Sequence, residues 1–436
     1  MRGSRWLIRG GRLIDPAQEV DEVTDLLLEE GKVVGTGRNL KPEGAQVLDA
    51  KGKIVAPGFI DLHVHLRTPG QEHKETVLSG SQAAVKGGFT TVCAMANTDP
   101  VMDSPPIIES LQNQSTKVGL VSILCYGAVT VGLKGEALTE MGRLEAAGVV
   151  GFSDDGMPVA NAGVMRRALE YTRMTHLPVV AHCEEKTLSG SGVMHEGKVA
   201  ARLGLSGIPA EAETVMIARD LLLAEATEGM LHIAHVSTAA GVELIRRAKE
   251  RGVRVTAEVT PHHLTLTDEA LGQYDARFKM NPPLRTSEDL EALRAGLREG
   301  VLDAVATDHA PHSKVEKEMD LAAAPFGVVG LETAAGVLLT ELVARAGVPL
   351  ATVIASLTSR PAHALGIDRG HLKKGAAADV TILDPEAVWT VDAGAFASKG
   401  VNSPFLGWRL TGQVTDVLVK GKPLLRDGQW VNGVSG

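Results

Sequence analysis

The chain has 436 residues, which is long enough for one large domain and a smaller one with a substantial buried core. Hydrophobic residues make up 44% and charged residues 22%, a composition that excludes a largely disordered chain. The net charge of -9 argues against nucleic acid or an anionic membrane as the principal partner, because binding to either needs clustered lysine and arginine.

The start of the chain predicts no targeting segment. Charges and glycines interrupt "MRGSRWLIRGGRLIDP" before an apolar run could form a signal peptide or a membrane anchor. Cys93, Cys125 and Cys183 lie far apart within apolar runs, a pattern typical of buried thiols in a reducing compartment. We therefore expect a soluble, cytoplasmic protein.

Residues 1–55 are predicted to form short strands. Glycine pairs and turns of the "EEGK" type separate apolar runs such as "WLIRGGRLID" and "TDLLLEEGKVVGTG". Turn residues at this close spacing favour hairpins over helices.

The hydrophobicity pattern changes between residues 56 and 366, where apolar strand-like runs alternate with amphipathic stretches. Eight such runs occur, at 54–66, 89–97, 121–129, 149–155, 177–184, 230–237, 253–263 and 302–312. Helical patterns fall at 75–88, 138–148, 161–176, 211–229, 241–252 and 287–300. Eight strands alternating with helices predict a (β/α)8 TIM barrel, although a doubly wound open sheet would show the same alternation.

Residues 367–436 return to short alternating strands around Gly, Pro and Asp turns, as in "AADVTILDP" and "GQVTDVLVKGKPLLRDGQWV". Both ends of the chain are thus predicted to be all-β. We expect them to build one small β-sandwich domain beside the barrel.

Residues able to bind metal gather at the carboxyl ends of the barrel strands. They are His63, His65, Asp154, Asp155, His182, His235, His262, His263, Asp308, His309 and His312. Singly each is a weak signal, since a His-x-His pair is more often a solvated strand face and an aspartate there is more often a turn residue or helix cap. In a parallel barrel, however, all these ends open on one rim, which carries the active site.

The ligand types indicate a class of metal. Imidazoles and carboxylates without cysteine suit zinc, or a similar divalent ion, in a catalytic site that keeps a position open for water. Four histidines and two aspartates exceed the needs of one tetrahedral ion, so we expect two ions that share a bridging ligand. Such a site activates water at neutral pH, which describes a hydrolase.

Together, several motifs resemble the type I bacterial dihydroorotases of the amidohydrolase superfamily. They run in order from Val55 to Asp384 and include "GFIDLHVHLR", "AMANTDP", "GFSDDG", "AHCE", "AHVS", "KMNPPLR", "ATDHAPH", "APFGVVGLET" and "KKGAAADVTILDP". The resemblance implies a zinc-dependent cyclic amidohydrolase that reversibly hydrolyses (S)-dihydroorotate to N-carbamoyl-L-aspartate. This reaction is the third step of de novo pyrimidine (UMP) biosynthesis.

The resemblance also implies a ligand set for one or two zinc ions, with two expected. The first would be held by His63, His65 and Asp308, the second by His182 and His235, and Asp155 would reach both. Asp308 would also be catalytic, first accepting the proton of the attacking water and then donating it to the leaving ring nitrogen.

Many members of the superfamily bridge the two metals with a carboxylated lysine from the fourth strand. Here no lysine occurs between Lys134 and Lys186, so a carboxylate of "GFSDDG" is expected in its place. Strand alternation cannot choose between Asp154 and Asp155, and only the resemblance selects Asp155.

The substrate would be an anion, and Arg67 offers a planar fork suited to its carboxylate, two residues beyond His65 and predicted on the same strand face. A salt bridge from Arg67 to Glu72 or Glu75 is the alternative. The resemblance adds further substrate contacts. They are His65, Asn97, Asn281, His312, Phe326 and Gly327.

Residues 312–325, after the eighth strand, are expected to form either a solvated helix or a mobile lid. Two other functions stay open at this point: another cyclic-amide hydrolase, such as a hydantoinase or allantoinase, and an inactive scaffold for aspartate transcarbamoylase. The expected partner is the small-molecule substrate, and the sequence leaves open a homo-oligomer and a complex with the transcarbamoylase.

Overall fold

The two ends of the chain share one sheet. In the computed structural model, which describes residues 5–431, strands from both ends pair into a nine-stranded sheet. Its strands are Arg5–Asp15, Val20–Glu29, Lys32–Gly37, Gln46–Asp49, Ile54–Pro57, Val380–Thr390, Arg409–Val419, Lys422–Arg426 and Gln429–Trp430. Residues 1–4 and 432–436 of the two predicted end segments lie outside the described residues.

Strand Ile54–Pro57 joins the two halves of this sheet. It pairs parallel with Arg5–Asp15 and antiparallel with Val380–Thr390. Apolar side chains from both halves, including Trp6 and Ile382, pack into one core. The terminal sheet therefore buries its own apolar face, as alternating strands require.

The first predicted strand of the barrel, 54–66, is two strands. The first belongs to the terminal sheet, so the N-terminal part of that sheet reaches Pro57 and not residue 55. At Gly58 a Cβ atom would lie 2.2 Å from Oγ1 of Thr90, so the close approach leaves no room for a side chain. The predicted boundary at 366 falls just after the last helix, Ser359–Leu365.

Seven parallel strands make most of the barrel wall. They are Phe59–Val64, Phe89–Ala94, Ser122–Cys125, Val179–Ala181, Leu231–Ile233, Val255–Val259 and Ala304–Val305. The bridge between Val64 and His309 closes the ring. The structure is the predicted (β/α)8 barrel with a sheet built from both chain ends.

The fourth predicted strand, 149–155, is reduced to one residue. Phe152 forms single bridges with Gly127 and Val179 and so completes the wall. Beyond Phe152, the side chain of Asp154 accepts hydrogen bonds from the backbone N–H groups of Val129 and Thr130 on the neighbouring segment. Those N–H groups are then unavailable for β-sheet hydrogen bonds, which is why strand pairing ends there.

Helices cover the barrel and fill its loops. The α-helices are Val77–Lys86, Pro105–Val118, Met141–Ala146, Ala162–Thr175, Lys186–Ser189, Lys198–Leu203, Glu211–Thr227, Ala239–Glu250, Ser287–Glu299, Lys314–Lys317, Ala334–Val337, Leu350–Leu357 and Ser359–Leu365, and a π-helix spans Leu338–Arg345. Short 3-10 turns occur at Pro16–Gln18, Val131–Leu133, Asp268–Gln273, Ala276–Phe278 and Ala393–Ala395, and a two-strand pair joins Met194–His195 to Gly207–Ile208.

The sequence patterns missed helix Pro105–Val118. Only Ile108 and Leu111 of this helix are buried, so its apolar stripe is too narrow to stand out. The three cysteines are buried free thiols, as predicted. Within residues 5–431, no helix is both long enough and apolar enough to cross a bilayer.

Candidate metal and substrate site

The histidines and the bridging aspartate predicted to bind metal converge at the carboxyl end of the barrel. Among the described residues they form two groups of three, in which the donor atoms lie within 4.8 Å of one another. One group is His63, His65 and Asp155, and the other is Asp155, His182 and His235. Asp155 is common to both groups.

Distances from the Asp155 carboxylate show how it is shared. Its Oδ1 lies 3.4 Å from Nε2 of His63. The same oxygen lies 3.6 Å from Nδ1 of His182 and 3.6 Å from Nε2 of His235. Its Oδ2 lies 3.5 Å from Nε2 of His65. One carboxylate therefore faces all four imidazoles.

The adjacent carboxylate, Asp154, faces the other way. Its Oδ1 accepts from the backbone nitrogens of Val129 at 2.7 Å and Thr130 at 3.0 Å. The choice that strand alternation left open is thus made by the fold, which turns Asp155 and not Asp154 towards the histidines.

Glu258 orients His63. The Nδ1 of His63 donates to Oε1 of Glu258 at 2.9 Å, and Oε2 of the same carboxylate lies 3.1 Å from Nε2 of His232. Burial raises the pKa of Glu258, but its hydrogen bonds with the two histidines outweigh burial and bring the pKa down to about 2. The carboxylate is therefore ionised and leaves Nε2 of His63 free to face Asp155.

Two further histidines are held in the same manner. The Nδ1 of His65 donates to Oδ1 of Asn97 at 3.0 Å, and Nε2 of His182 donates to Oε2 of Glu184 at 3.0 Å. The other nitrogen of each ring faces the carboxylates of the site: Nε2 of His65 lies 3.1 Å from Oδ1 of Asp308 and 3.5 Å from Oδ2 of Asp155, and Nδ1 of His182 lies 3.6 Å from Oδ1 of Asp155. Ligand histidines in metal sites are oriented by such partners.

This arrangement fits a divalent cation. Nε2 of His63 and Oδ1 of Asp155 are buried without a hydrogen-bond partner. Nδ1 of His182 lies only 2.9 Å from Nε2 of His235. Carboxylates and imidazoles gathered in a buried space need positive charge among them, which bound protons or a metal ion can supply, because unsatisfied buried polar atoms are costly. Imidazole and carboxylate donors without thiolate are the ligands that zinc and similar ions accept.

Asp308 lies on the His63 and His65 side of the cluster. Its Oδ1 is 3.1 Å from Nε2 of His65 and 3.5 Å from Nε2 of His63. Its backbone is left-handed, with φ of 47°, and the preceding Thr307 is held by the buried carboxylate of Asp61 through N and Oγ1. Burial raises the pKa of Asp308, but His63 and His65 outweigh it, so that the pKa lies below its usual range.

A cavity of about 300 Å³ opens beside the histidine cluster. Its wall contains every residue predicted to contact substrate. These are His65, Arg67, Asn97, Asn281, His312, Phe326 and Gly327. The volume suits a small-molecule ligand.

Arg67 reaches the cavity by a different route from the one predicted. The strand ends at Val64, and Arg67 has φ of 57°, so it does not continue the strand face of His65. Its Nε donates to the carbonyl of Pro311 at 3.2 Å. The Glu72 carboxylate accepts from the backbone nitrogen of Gly70, and the Glu75 carboxylate contacts His309. The alternative of a salt bridge to either glutamate is wrong. Burial lowers the pKa of Arg67, although an arginine remains charged.

His312 leaves one end of this guanidinium free. The Nε2 of His312 donates to the carbonyl of Phe326 at 2.8 Å, and its Nδ1 lies 3.5 Å from Nζ of Lys74. Burial, then Arg67 and Lys74, lower the pKa of His312 to about 3, so the ring is neutral. Nη2 of Arg67 lies 3.3 Å from Nε2 of His312. Because both atoms carry hydrogen, this Nη2 still lacks an acceptor.

Sequence reasoning missed Glu184 and Glu258. Glu184 lines the cavity, where its Oε2 accepts from Nδ2 of Asn281 at 2.9 Å as well as from His182. It follows His182 by two residues, and that spacing was a usable signal. Glu258 is a single acidic residue inside an apolar strand, which is also a signal, since an unpaired charge is rarely buried.

Comparison with known proteins identifies the family. Residues 52–240 match a family model described as Dihydro-orotase-like. Over 425 residues the chain is 54% identical to a dihydroorotase from Pelotomaculum thermopropionicum, covering 97% of this chain and 99% of that protein. It is 51% identical to a dihydroorotase from an Anaeromyxobacter species, with 97% and 98% covered. The chain belongs to the dihydroorotase family.

Solved structures similar to this dihydroorotase family member include hydantoinases. An L-hydantoinase from Arthrobacter aurescens superposes with a TM-score of 0.88 at 28% identity, over 98% of this chain and 97% of the other. A D-hydantoinase superposes with a TM-score of 0.84 at 26% identity, over 98% and 96%. Both the family and these neighbours indicate a cyclic amidohydrolase on a TIM barrel.

Proposed function

We propose that this protein is a zinc-dependent dihydroorotase, which interconverts (S)-dihydroorotate and N-carbamoyl-L-aspartate in the cytoplasm as the third step of UMP biosynthesis. The observation that carries the proposal is the content of one cavity. Two ligand triads that share Asp155 lie beside a half-buried arginine, Arg67, with an unused donor. A hydrolytic centre is thereby paired with a receptor for a carboxylate.

In this proposal His63, His65 and Asp308 would hold one zinc ion and His182 and His235 a second, with Asp155 available to both because it belongs to both triads. Zinc bound in such a site supplies an activated water and polarises a carbonyl oxygen. Asp155 would take the role that the resemblance gives to a carboxylated lysine in other members of the superfamily.

Asp308 is proposed to move the proton. The Asp308 carboxylate is ionised at neutral pH, so an oxygen lone pair is available to accept a proton. This role rests on the position of the carboxylate and not on its lowered pKa, which by itself weakens a base. Its Oδ1 lies beside His63 and His65 at the edge of the cavity, where a bound ring amide would meet it. The proton taken from the attacking water would then pass from this oxygen to the leaving ring nitrogen. One carboxylate would serve as base and then as acid.

The other end of the cavity is proposed to bind the carboxylate of the substrate. Nη2 of Arg67 would supply one charged hydrogen bond, with Asn97 and His312 beside it. The protein carries a net charge of -9, so an anion needs such local donors. Asn281 and the backbone of Phe326 and Gly327 would contact the ring.

Hydantoinase-like activity is the second candidate, because the similar solved structures include hydantoinases. It does not require Arg67, and its bridging lysine has no counterpart between residues 135 and 185. A scaffold role for aspartate transcarbamoylase predicts lost ligands, whereas this chain retains all of them. A homo-oligomer and a complex with the transcarbamoylase remain compatible with the proposal.

A substrate comparison tests the proposed function. The metal-replete protein is assayed with dihydroorotate, dihydrouracil, hydantoin and allantoin, and zinc is counted per chain by atomic absorption. We expect turnover of dihydroorotate in both directions and a kcat/KM for the uncharged rings at least about a hundredfold lower, since a buried ionic contact is lost. Equal turnover of the uncharged rings would refute the carboxylate receptor.

A further inference from the structure

Two lysines hold the loop that follows the eighth strand. This loop, Ser313–Gly327, contains helix Lys314–Lys317 and then runs without regular structure. Lys317 points inwards and is only 9% exposed. Its Nζ donates to the carbonyls of Pro325 at 3.0 Å, Gly327 at 2.9 Å and Lys279 at 3.3 Å. The beginning and end of the loop are thus joined by one ammonium group.

Lys279 holds the middle of the same loop. Its Nζ donates to the carbonyls of Leu321 at 2.7 Å, Ala322 at 3.2 Å and Ala324 at 2.6 Å. The same atom lies 4.5 Å from the centre of the Phe326 ring, a cation–π contact. Each of the two ammonium groups therefore has three carbonyl acceptors, which matches its three N–H donors.

These contacts lead directly to the cavity. Phe326 and Gly327 line it, and the Phe326 carbonyl accepts from His312. Lys279 lies two residues before Asn281, which also lines the cavity. The two lysines thus connect the Asn281 segment to the loop that carries Phe326.

Placing two ammonium groups together in the interior is costly. Asp275 and Glu316 are the acidic groups whose charges act on Lys317, and Lys279 opposes them. Burial first, and then Lys279, lower the pKa of Lys317 to about 7, and burial also lowers the pKa of Lys279. Apolar side chains of similar length would fill this space at lower cost. Apolar side chains could not, however, donate hydrogen bonds to the six backbone carbonyls that the two lysines contact.

We propose that Lys279 and Lys317 are positioning residues for the substrate, which together set the conformation of Ser313–Gly327 so that the backbone of Phe326 and Gly327 faces the ring-binding part of the cavity. This inference rests on the proposed function and deepens it. The loop is then a preorganised wall of the site, whose conformation is set by the hydrogen bonds of the two lysine side chains.

The test uses Lys317→Met and Lys279→Met in the full-length, zinc-loaded protein. Lys314→Met is the matched control, because Lys314 lies on the same short helix and is exposed. In both test variants we expect a KM for dihydroorotate at least about tenfold higher, a kcat within a few-fold of wild type and an unchanged zinc content. The control should match wild type in all three.

Hydrogen exchange of the amides at 320–328 is measured on the same proteins without substrate. Faster exchange in both test variants, and not in the control, is expected because the carbonyl contacts are lost. This readout does not need turnover, so it separates failure of the inference from failure of the proposed function. Unchanged exchange, or a kcat lowered with KM unchanged, would overturn the inference. Loss of the folded state in both test variants would do so too, because it would assign the lysines to global folding.

Discussion

Glu258→Gln should weaken zinc binding without changing any residue that is proposed to touch the metal. The carboxylate is fully buried and links Nδ1 of His63 at 2.9 Å to Nε2 of His232 at 3.1 Å. Glutamine has the same shape, and its one oxygen can still accept from His63. What the substitution removes is the negative charge that makes this imidazole more basic and fixes its tautomer.

The expected magnitude follows from this single lost charge. A hydrogen bond to a charged group contributes about 1.5–3 kcal/mol, and a neutral one about 1 kcal/mol. The difference, of the order of 1–2 kcal/mol, corresponds to a roughly tenfold loss of zinc affinity, at the lower end of the 10–100-fold range known for partners of metal-binding histidines. The affected ion should be the one proposed to contact His63 and His65.

Competition with a chromophoric chelator during zinc titration of the metal-free protein measures this affinity. Asp416→Asn is the matched control, since Asp416 is a buried carboxylate in the terminal sheet that pairs with Lys53. The control should keep the wild-type zinc affinity even if its melting temperature falls. Wild-type zinc affinity in Glu258→Gln would refute the reasoning, because the histidine would then need no charged partner.

Three other outcomes are expected. Asp155→Ala removes the carboxylate common to both triads, so atomic absorption should find at most one zinc per chain and activity should be largely lost; a fully active variant with two zinc ions would contradict this. Arg67→Lys should raise the KM for dihydroorotate by about tenfold or more with little change in kcat, because one ammonium group cannot keep both the contact with the Pro311 carbonyl and the contact with the substrate carboxylate; an equal rise for uncharged hydantoin would contradict it. The pKa of Lys317 is about 7 in the folded protein and 10.5 in the unfolded chain. Between these pH values the unfolded state binds one more proton than the folded state. The free energy of unfolding of wild type, relative to that of Lys317→Met, should therefore rise as pH rises from about 7 to 10.5. Denaturant titrations at several pH values measure this, and a difference independent of pH would count against it.

Much of the proposed site could be predicted because its signals are local. His63 and His65 alternate along one strand, and His182, His235 and Asp308 each follow an apolar run. Residues at the carboxyl ends of parallel barrel strands must share a rim, whatever their separation in sequence. The identity of the shared carboxylate could not be predicted from a local pattern. It depends on the hydrogen bonds from Val129 and Thr130, which engage Asp154 and leave Asp155 to face the histidines.

Arg67 shows where the local rule fails. Period-2 alternation places a residue on a strand face only while the strand continues, and here the strand stops at Val64. Arg67 still reaches the cavity because a left-handed turn and the carbonyl of Pro311 direct it there. The structure thus places Arg67 at the cavity, but the prediction that it lies on the strand face of His65 was wrong.

The alternation of strands and helices, the all-β ends and the types of donor at the strand ends could be predicted from local patterns, because periodicity and residue chemistry act over a few neighbours. The orientation of Asp155 towards the histidines and the contacts of two lysines with the loop at Phe326 depend on the folded chain. So does the pairing of Glu258 with His63, which is 195 residues away. Such contacts join distant parts of the chain, and no local pattern encodes which buried polar group will meet which partner.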